Sequence, residues 1–173
     1  MKCSYCDVEM EKRHATHEHP YVYKHSGLNA VLLSGIDVYR CPNCEIESPV
    51  IPGVAKLHES LASEIVNQPG PLRGDEIRFL RKYAALPAQK FARLIGVRPE
   101  HLSRVENGHT KSFGKNTDRL IRAFTLTAKK GREARLMLLR MADQLEEPAA
   151  NKPSKFVDIS YALKPRVGWQ RTG

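Results

Sequence analysis

Two cysteine pairs, each spaced C-x-x-C, are the residues best suited to do chemistry in this 173-residue sequence. Cys3 and Cys6 stand near its start, and Cys41 and Cys44 follow a stretch rich in β-forming residues. Two such pairs can bind one tetrahedral ion through four thiolates, with Zn–S bonds of about 2.3 Å. Four protein ligands leave no position open for a catalytic water. We therefore expect one structural Zn²⁺ per chain.

The same cysteines also fit two redox-active dithiols or a pair of disulfides. Disulfides are rare in the cytosol, and we expect a cytoplasmic protein, because the sequence shows neither a signal peptide at Met1 nor an apolar run of membrane-spanning length. The paired spacing then favours zinc. We expect no enzyme activity, since the metal shell is filled and no Ser/His/Asp-like group occurs at a persuasive spacing.

The segment between the cysteine pairs predicts a small antiparallel β module. Strand-like alternation occurs in Tyr21–His25, Val31–Leu33 and Ile36–Arg40, with turn residues between them. So small a module buries too little apolar surface to fold alone, so the metal is expected to hold it together. Four histidines in or near it are irregularly spaced and are expected to be exposed strand residues rather than a second metal site: His14, His17, His19 and His25.

Charge and composition divide the chain into two modules. Residues 1–69 hold six basic and nine acidic side chains, residues 70–173 hold 22 and ten, and the whole chain has a net charge of +9. We predict a zinc-binding module over residues 1–66 that ends in a helix from Val54 to Val66. A Pro/Gly-rich linker over residues 67–72 follows. The basic second module is expected to face a polyanion.

Leu86 to Gly108 has the pattern of two short helices joined by a tight turn. Gly96 suits the positive φ that ends the first helix, and Pro99 suits the first turn of the second. The apolar residues of the first helix recur with the α-helical period: Ala88, Phe91, Ala92 and Ile95. In the second helix, Leu102 and Val105 are expected to face inward. Periodicity alone would also fit a helical hairpin in any α-domain.

The same residues resemble the helix-turn-helix of phage-repressor-like regulators, whose pattern is A-x-x-[LI]-G-V…[LI]-S-R-x-E-N-G. The matching residues are Phe91–Val97 and Leu102–Gly108. The resemblance implies an all-α, five-helix DNA-binding domain over residues 73–147. Together with the β module, it makes the expected fold class α+β.

A second resemblance runs from Met1 to about Phe124. Tyr23–Gly35 is similar to the Y-x-x-S-G-L-x-x-V-x-L-x-G stretch of the YgiT/MqsA-type zinc-finger antitoxins. The resemblance implies a transcriptional repressor that binds its own palindromic operator in double-stranded DNA as a homodimer. It further implies the autoregulating antitoxin of a type II toxin–antitoxin system, with a toxin bound by the zinc module. The alternative is a stand-alone regulator without a toxin.

The resemblance places the base-reading residues at Glu100 and Arg104, one helical turn apart. An arginine there can donate two hydrogen bonds to guanine O6 and N7, worth about 1–3 kcal/mol of discrimination. Glu100, where well-known members have an amide, can accept from cytosine N4 or pair with Arg104. The candidate phosphate contacts are Gln89, Lys90, Arg98, Ser103, Asn107, Thr110, Lys111 and Lys115. The resemblance also implies a structural ion pair between Arg81 and Glu106.

The end of the sequence is less informative. The helix predicted from Arg132 to Leu145 is broadly apolar, which fits either a dimer face or additional core packing. The tail over residues 148–173 begins with a Pro-rich stretch. Val157, Ile159, Tyr161 and Leu163 then alternate with other residues, which predicts a strand. That strand is expected to join the zinc module's sheet, to exchange between subunits or to fold on a partner.

Overall fold

The computed structural model describes residues 1–29, 31–144, 160–164 and 168–172. It confirms an α+β protein, in which short antiparallel strands precede six α-helices. In the described part of the chain, no helix is both long enough and apolar enough to cross a bilayer. The Pro-rich stretch at 148–153 and the predicted strand positions Val157 and Ile159 lie outside the described residues.

The β module consists of two small antiparallel sheets. Strands β1 (Glu11–His14), β4 (Asp37–Arg40) and β5 (Glu47–Pro49) form a three-stranded sheet with β4 in the middle. Strands β2 (Tyr21–Val22) and β3 (Leu32–Leu33) pair separately, with Tyr21 opposite Leu33. Five buried side chains form the module's apolar core: Ala15, Tyr21, Tyr23, Val31 and Val38.

The strand predicted over Tyr21–His25 is wrong beyond Val22. Lys24–Ser26 form a 3-10 turn that ends at Gly27, whose φ of 75° favours glycine. The Ser26 hydroxyl donates to the Tyr23 carbonyl and accepts from the Leu28 N–H, which stabilises the turn locally. As predicted, His14, His17, His19 and His25 are exposed, but of the four only His14 lies in a strand.

Helix α1 (Val54–Asn67) connects two apolar cores. Near its middle, Leu57 and Leu61 pack against the core of the β module. Near its end, Ala62, Ile65 and Val66 are buried in the core of the helices that follow. The predicted helix is therefore present, and it belongs to both halves of the molecule.

The remaining helices surround this second core. They are α2 (Gly74–Tyr83), α3 (Ala88–Leu94), α4 (Pro99–Glu106), α5 (Lys115–Lys129) and α6 (Arg132–Gln144). The turn between α3 and α4 contains Gly96 at a φ of 69°. Helices α2 and α4 approach so closely that a Cβ atom on Gly74 would lie 2.0 Å from the Val105 carbonyl oxygen. The shape of this region therefore depends on a glycine at residue 74.

Residues 67–72 are hydrogen-bonded to two side chains of α5, Asp118 and Arg122. The Arg122 guanidinium donates to the carbonyls of Val66 (2.6 Å), Gln68 (2.9 Å) and Gly70 (2.8 Å). The Asp118 carboxylate accepts from the Leu72 N–H at 2.7 Å and from Arg122 Nε at 2.7 Å. Leu72 itself is fully buried. These contacts hold in one conformation a stretch whose composition predicts a linker.

The tail contains a two-stranded antiparallel hairpin, β6 (Ser160–Lys164) and β7 (Gly168–Thr172), with Leu163 opposite Trp169. The predicted strand is thus present over part of its length. Its pairing partner in the described residues is the neighbouring strand of the tail rather than the sheet of the β module.

Candidate metal centre and nucleic-acid interface

The four cysteines form one cluster. All four Sγ atoms lie within 4.8 Å of one another. The Cys3–Cys44 and Cys6–Cys41 sulfurs are 3.4 Å apart, and those of Cys6 and Cys44 are 3.8 Å apart. A tetrahedral ion with bonds of about 2.3 Å would hold its sulfurs about 3.8 Å apart, whereas a disulfide needs about 2.05 Å. The cluster can therefore hold a metal ion, and all four cysteines are free thiols.

Two similar turns position these thiols. In the first, the Cys3 N–H donates to the Val8 carbonyl at 2.9 Å and the Asp7 N–H donates to the Cys3 carbonyl at 3.0 Å. The second turn repeats both bonds at Cys41 and Glu45, each at 3.0 Å. Asp7 and Glu45 adopt positive φ angles of 59° and 58°. A non-glycine residue there costs about 1–3 kcal/mol, so both turns depend on their surroundings to hold this conformation.

The electrostatics of the cluster favour a cation. Backbone N–H groups, of which that of Cys44 contributes most, lower the pKa of the Cys41 thiol to about 6. Although the Ile46 amide acts in the opposite direction, loss of solvation and the other three thiols raise the pKa of Cys44 to about 12. One thiol therefore ionises easily while its neighbour resists a further negative charge. A divalent ion removes this conflict by neutralising several thiolates together.

The four histidines that we expected to be exposed rather than metal-binding lie outside the cysteine cluster. In the described part of the chain, the group able to hold a metal consists of the four cysteines. His14 instead contacts Asp37, with Nδ1 and Oδ1 3.0 Å apart. The Asp37 carboxylate also pairs with Lys12, and these two contacts hold the pKa of Asp37 below its usual value.

Helix α4 presents one polar and one apolar face. Leu102 and Val105 are buried against the helical core. The opposite face exposes four of the predicted DNA contacts: Glu100, Ser103, Arg104 and Asn107. In the part of the chain that the structure describes, the Arg104 carbonyl accepts from the His109 N–H at 2.8 Å, but the guanidinium has no ion-pair or hydrogen-bond partner and does not pair with Glu100. The Arg104 guanidinium is therefore available to a ligand.

A bidentate ion pair fixes the inner side of α4. Arg81 Nε donates to Glu106 Oε1 at 2.7 Å, and Arg81 Nη2 donates to Glu106 Oε2 at 2.8 Å. Their side chains are 13% and 7% exposed, so the pair is largely removed from water. The structure thus brings together the two residues for which the resemblance implies an ion pair. This ion pair links α2 to α4 and thereby sets the rotation of α4 relative to α2.

Arg78 is a participant that the sequence did not indicate. Its Nη2 donates to the Asn107 side-chain oxygen and to the Glu106 carbonyl, while Asn107 Nδ2 donates to the Ser103 carbonyl at 2.8 Å. Asn107, a predicted phosphate contact, is thereby held at the end of α4. The sequence places Arg78 three residues before Arg81, on the same side of α2. Many solvated helices have two basic residues at this spacing, so the spacing alone does not indicate that Arg78 contacts α4.

The other predicted DNA contacts lie in different environments. Gln89, Arg98, Lys111 and Lys115 are exposed. Lys90 pairs with Asp143 of α6 at 2.9 Å, so a phosphate would have to replace that carboxylate. The Thr110 hydroxyl is buried, has no hydrogen-bond partner among the described residues, and would have to rotate outward to reach DNA. Arg98 is the N-cap residue of α4, and its side chain makes no capping hydrogen bond among the described residues.

Comparison of the chain with protein-family models, with curated proteins and with solved structures finds no match.

Proposed function

We propose that the protein is a sequence-specific DNA-binding repressor whose α4 lies in the major groove. The observation that carries this proposal is the guanidinium of Arg104, which has no partner among the described residues and lies on the exposed face of α4. Leu102, Val105 and Glu106 anchor the other side of that helix. An anchored helix presents its side chains in one orientation, as reading of base edges requires. The net positive charge of residues 70–173 supplies attraction to the phosphates.

In this proposal, Arg104 donates two hydrogen bonds to a guanine edge, and Glu100 accepts from a cytosine N4 one helical turn away. Exposed side chains on α4 and on either side of it contact phosphates: Gln89, Arg98, Ser103, Lys111 and Lys115. These contacts determine the register of the protein on the duplex without reading sequence.

We further propose that the cysteine cluster binds one structural Zn²⁺. Four sulfur ligands suit this ion and complete its shell, so the metal stabilises the β module without catalysing a reaction. Metal analysis of the purified protein tests the proposal. We expect one zinc per chain, and we expect Cys41→Ser to lose it together with the fold of the β module. Full occupancy by iron, or no bound metal in freshly purified protein, would contradict it.

The exposed apolar strip of α6 supports a homodimer. Leu136, Met137 and Met141 are 42%, 63% and 38% exposed, whereas Leu138 and Ala142 of the same helix are buried. Burying such a strip against a second copy removes apolar surface from water. A two-fold dimer would then present two α4 helices to a palindromic site.

The antitoxin role rests on the resemblance that runs from Met1 to about Phe124. If it is correct, the β module binds a toxin encoded beside this protein; otherwise the protein is a stand-alone regulator. Co-expression with the product of the adjacent small gene distinguishes the two. Growth rescue and co-purification through residues 1–66 support the antitoxin, and their absence supports the stand-alone regulator.

Fluorescence anisotropy with DNA from the protein's own promoter tests the DNA-binding proposal. We expect Arg104→Ala to weaken binding about tenfold to a hundredfold and to reduce the preference for that DNA over unrelated DNA. Lys111→Ala should weaken binding to both DNAs equally and lower the salt dependence. Lys56→Ala, an exposed lysine on α1, is the matched control. Unchanged affinity and specificity in Arg104→Ala would refute the placement of α4.

A further inference from the structure

A cleft between the β module and α2 has no part in the metal centre or in the exposed face of α4. Its volume is about 340 Å³. Lys24 and His25 line it from the 3-10 turn, His58 from α1, and Lys82 with two aromatic residues from α2. Ligand cavities in proteins begin at about this size, which is enough for one small ring with a charged substituent.

The charged lining of the cleft has one sign. Lys24 and Lys82 stand on different elements, and no acidic side chain lines the cleft. Within the described residues, neither side-chain ammonium group has an ion-pair or hydrogen-bond partner, and the hydrogen bonds of both lysines are made by their backbone. Two ammonium groups without a carboxylate attract an anion more strongly than they would separately. The cleft is therefore complementary to a negative group.

The wall beside these cations is aromatic. The rings of Phe79 and Tyr83 are nearly parallel, with centroids 6.4 Å apart and an interplanar angle of 12°. His58 meets Phe79 edge-on at 5.7 Å. The Tyr23 hydroxyl and His58 Nε2 are 2.9 Å apart, which holds the imidazole in place. A wall of this kind can pack against the face or edge of a flat ring.

We propose that this cleft binds a small planar anion, a flat ring bearing a phosphate or carboxylate group. The anionic group lies between Lys24 and Lys82, and the ring packs against Tyr83 and His58. Since the cleft is formed jointly by the 3-10 turn and α2, the ligand bridges the β module and the helical half. The site is separate from α4 and does not depend on DNA binding.

Titration of the full-length, metal-loaded protein tests this proposal, with phenyl phosphate as the probe and calorimetry together with NMR as readouts. We expect saturable binding with a Kd of about 1 mM or tighter. Lys24→Ala and Lys82→Ala should each weaken it about tenfold, as the loss of one charge-assisted hydrogen bond predicts. Both lysines are exposed, so these variants should fold. Lys56→Ala and Arg104→Ala should bind phenyl phosphate as the unmodified protein does.

Two further probes separate the contribution of the anionic group to binding from that of the ring. Benzoate replaces the phosphate by a carboxylate, and its binding shows which anionic group the lysines prefer. Inorganic phosphate lacks the ring and should bind at least about tenfold more weakly. Equal binding of inorganic phosphate would refute the ring contact. Absence of saturation, or a loss of binding in Arg104→Ala that matches the loss in Lys82→Ala, would overturn the proposed site.

Discussion

Removal of the Arg81 guanidinium should destabilise the helical half of the protein strongly. In Arg81→Met, the Glu106 carboxylate stays 93% buried after losing hydrogen bonds of 2.7 and 2.8 Å. Breaking a buried pair from one side costs about 3–5 kcal/mol. Arg78 Nε, which is 3.9 Å from the same carboxylate, remains and offsets part of the loss. We therefore expect a loss near the lower end, about 3 kcal/mol.

Urea unfolding of the metal-loaded protein, followed by circular dichroism, measures this loss. The matched control is the double variant Arg81→Met with Glu106→Leu, which leaves neither charge buried. Because an apolar pair of similar size avoids the unpaired carboxylate, it should recover at least half of the stability lost by Arg81→Met. A loss below about 1 kcal/mol in Arg81→Met would refute the argument, as would a double variant less stable than the single one.

Three further changes test other contacts. Gly74→Ala places a Cβ 2.0 Å from the Val105 carbonyl oxygen and should lower the free energy of unfolding by about 1–3 kcal/mol. Gly114→Ala has open space at its Cβ and should lose less, at most about 1 kcal/mol, because Gly114 is the N-cap of α5; urea unfolding compares them. Met137→Asp should shift the protein from dimer to monomer in analytical ultracentrifugation without lowering its helix content, and a variant that remains dimeric would contradict the α6 interface. Arg122→Met should raise protease cleavage within residues 66–71 several-fold, and unchanged resistance would show that the guanidinium is not needed to hold that segment.

Local signals in the sequence predicted much of the helical half. The glycine at residue 96 and the apolar spacing before it placed the turn between α3 and α4, because both depend on neighbouring residues only. The spacing of the two C-x-x-C pairs likewise predicted that four thiols form one cluster. Strand β1 was missed, since Glu11–His14 is charged throughout and has no alternating apolar face. Its pairing with β4 depends on contacts distant in sequence, as does that of β5.

Residues 67–72 have the composition of a linker, but composition does not predict the contacts that hold them in place. Pro69, Gly70 and Pro71 are typical of a flexible connection, and nothing local indicates otherwise. What holds the segment is Arg122, some fifty residues further along, through bonds to backbone carbonyls. Every residue has such a carbonyl, so the acceptors carry no sequence signature. The sequence shows that Asp118 and Arg122 are spaced i, i+4 and can pair on a helix. It does not show that both side chains also bind the backbone of residues 66–72.

Because α1 packs against both apolar cores, it determines where the protein can be divided into fragments. A fragment that starts at the compositional boundary, after residue 66, would lack Ala62, Ile65 and Val66 and expose the apolar surface that they cover. Such a fragment is expected to aggregate. One that begins at Gly53 keeps α1 intact and uncovers the apolar surface of Leu57 and Leu61 together with the part of the helical core that Leu28 covers. The smallest autonomous unit for DNA studies therefore begins one helix earlier than the charge distribution suggests.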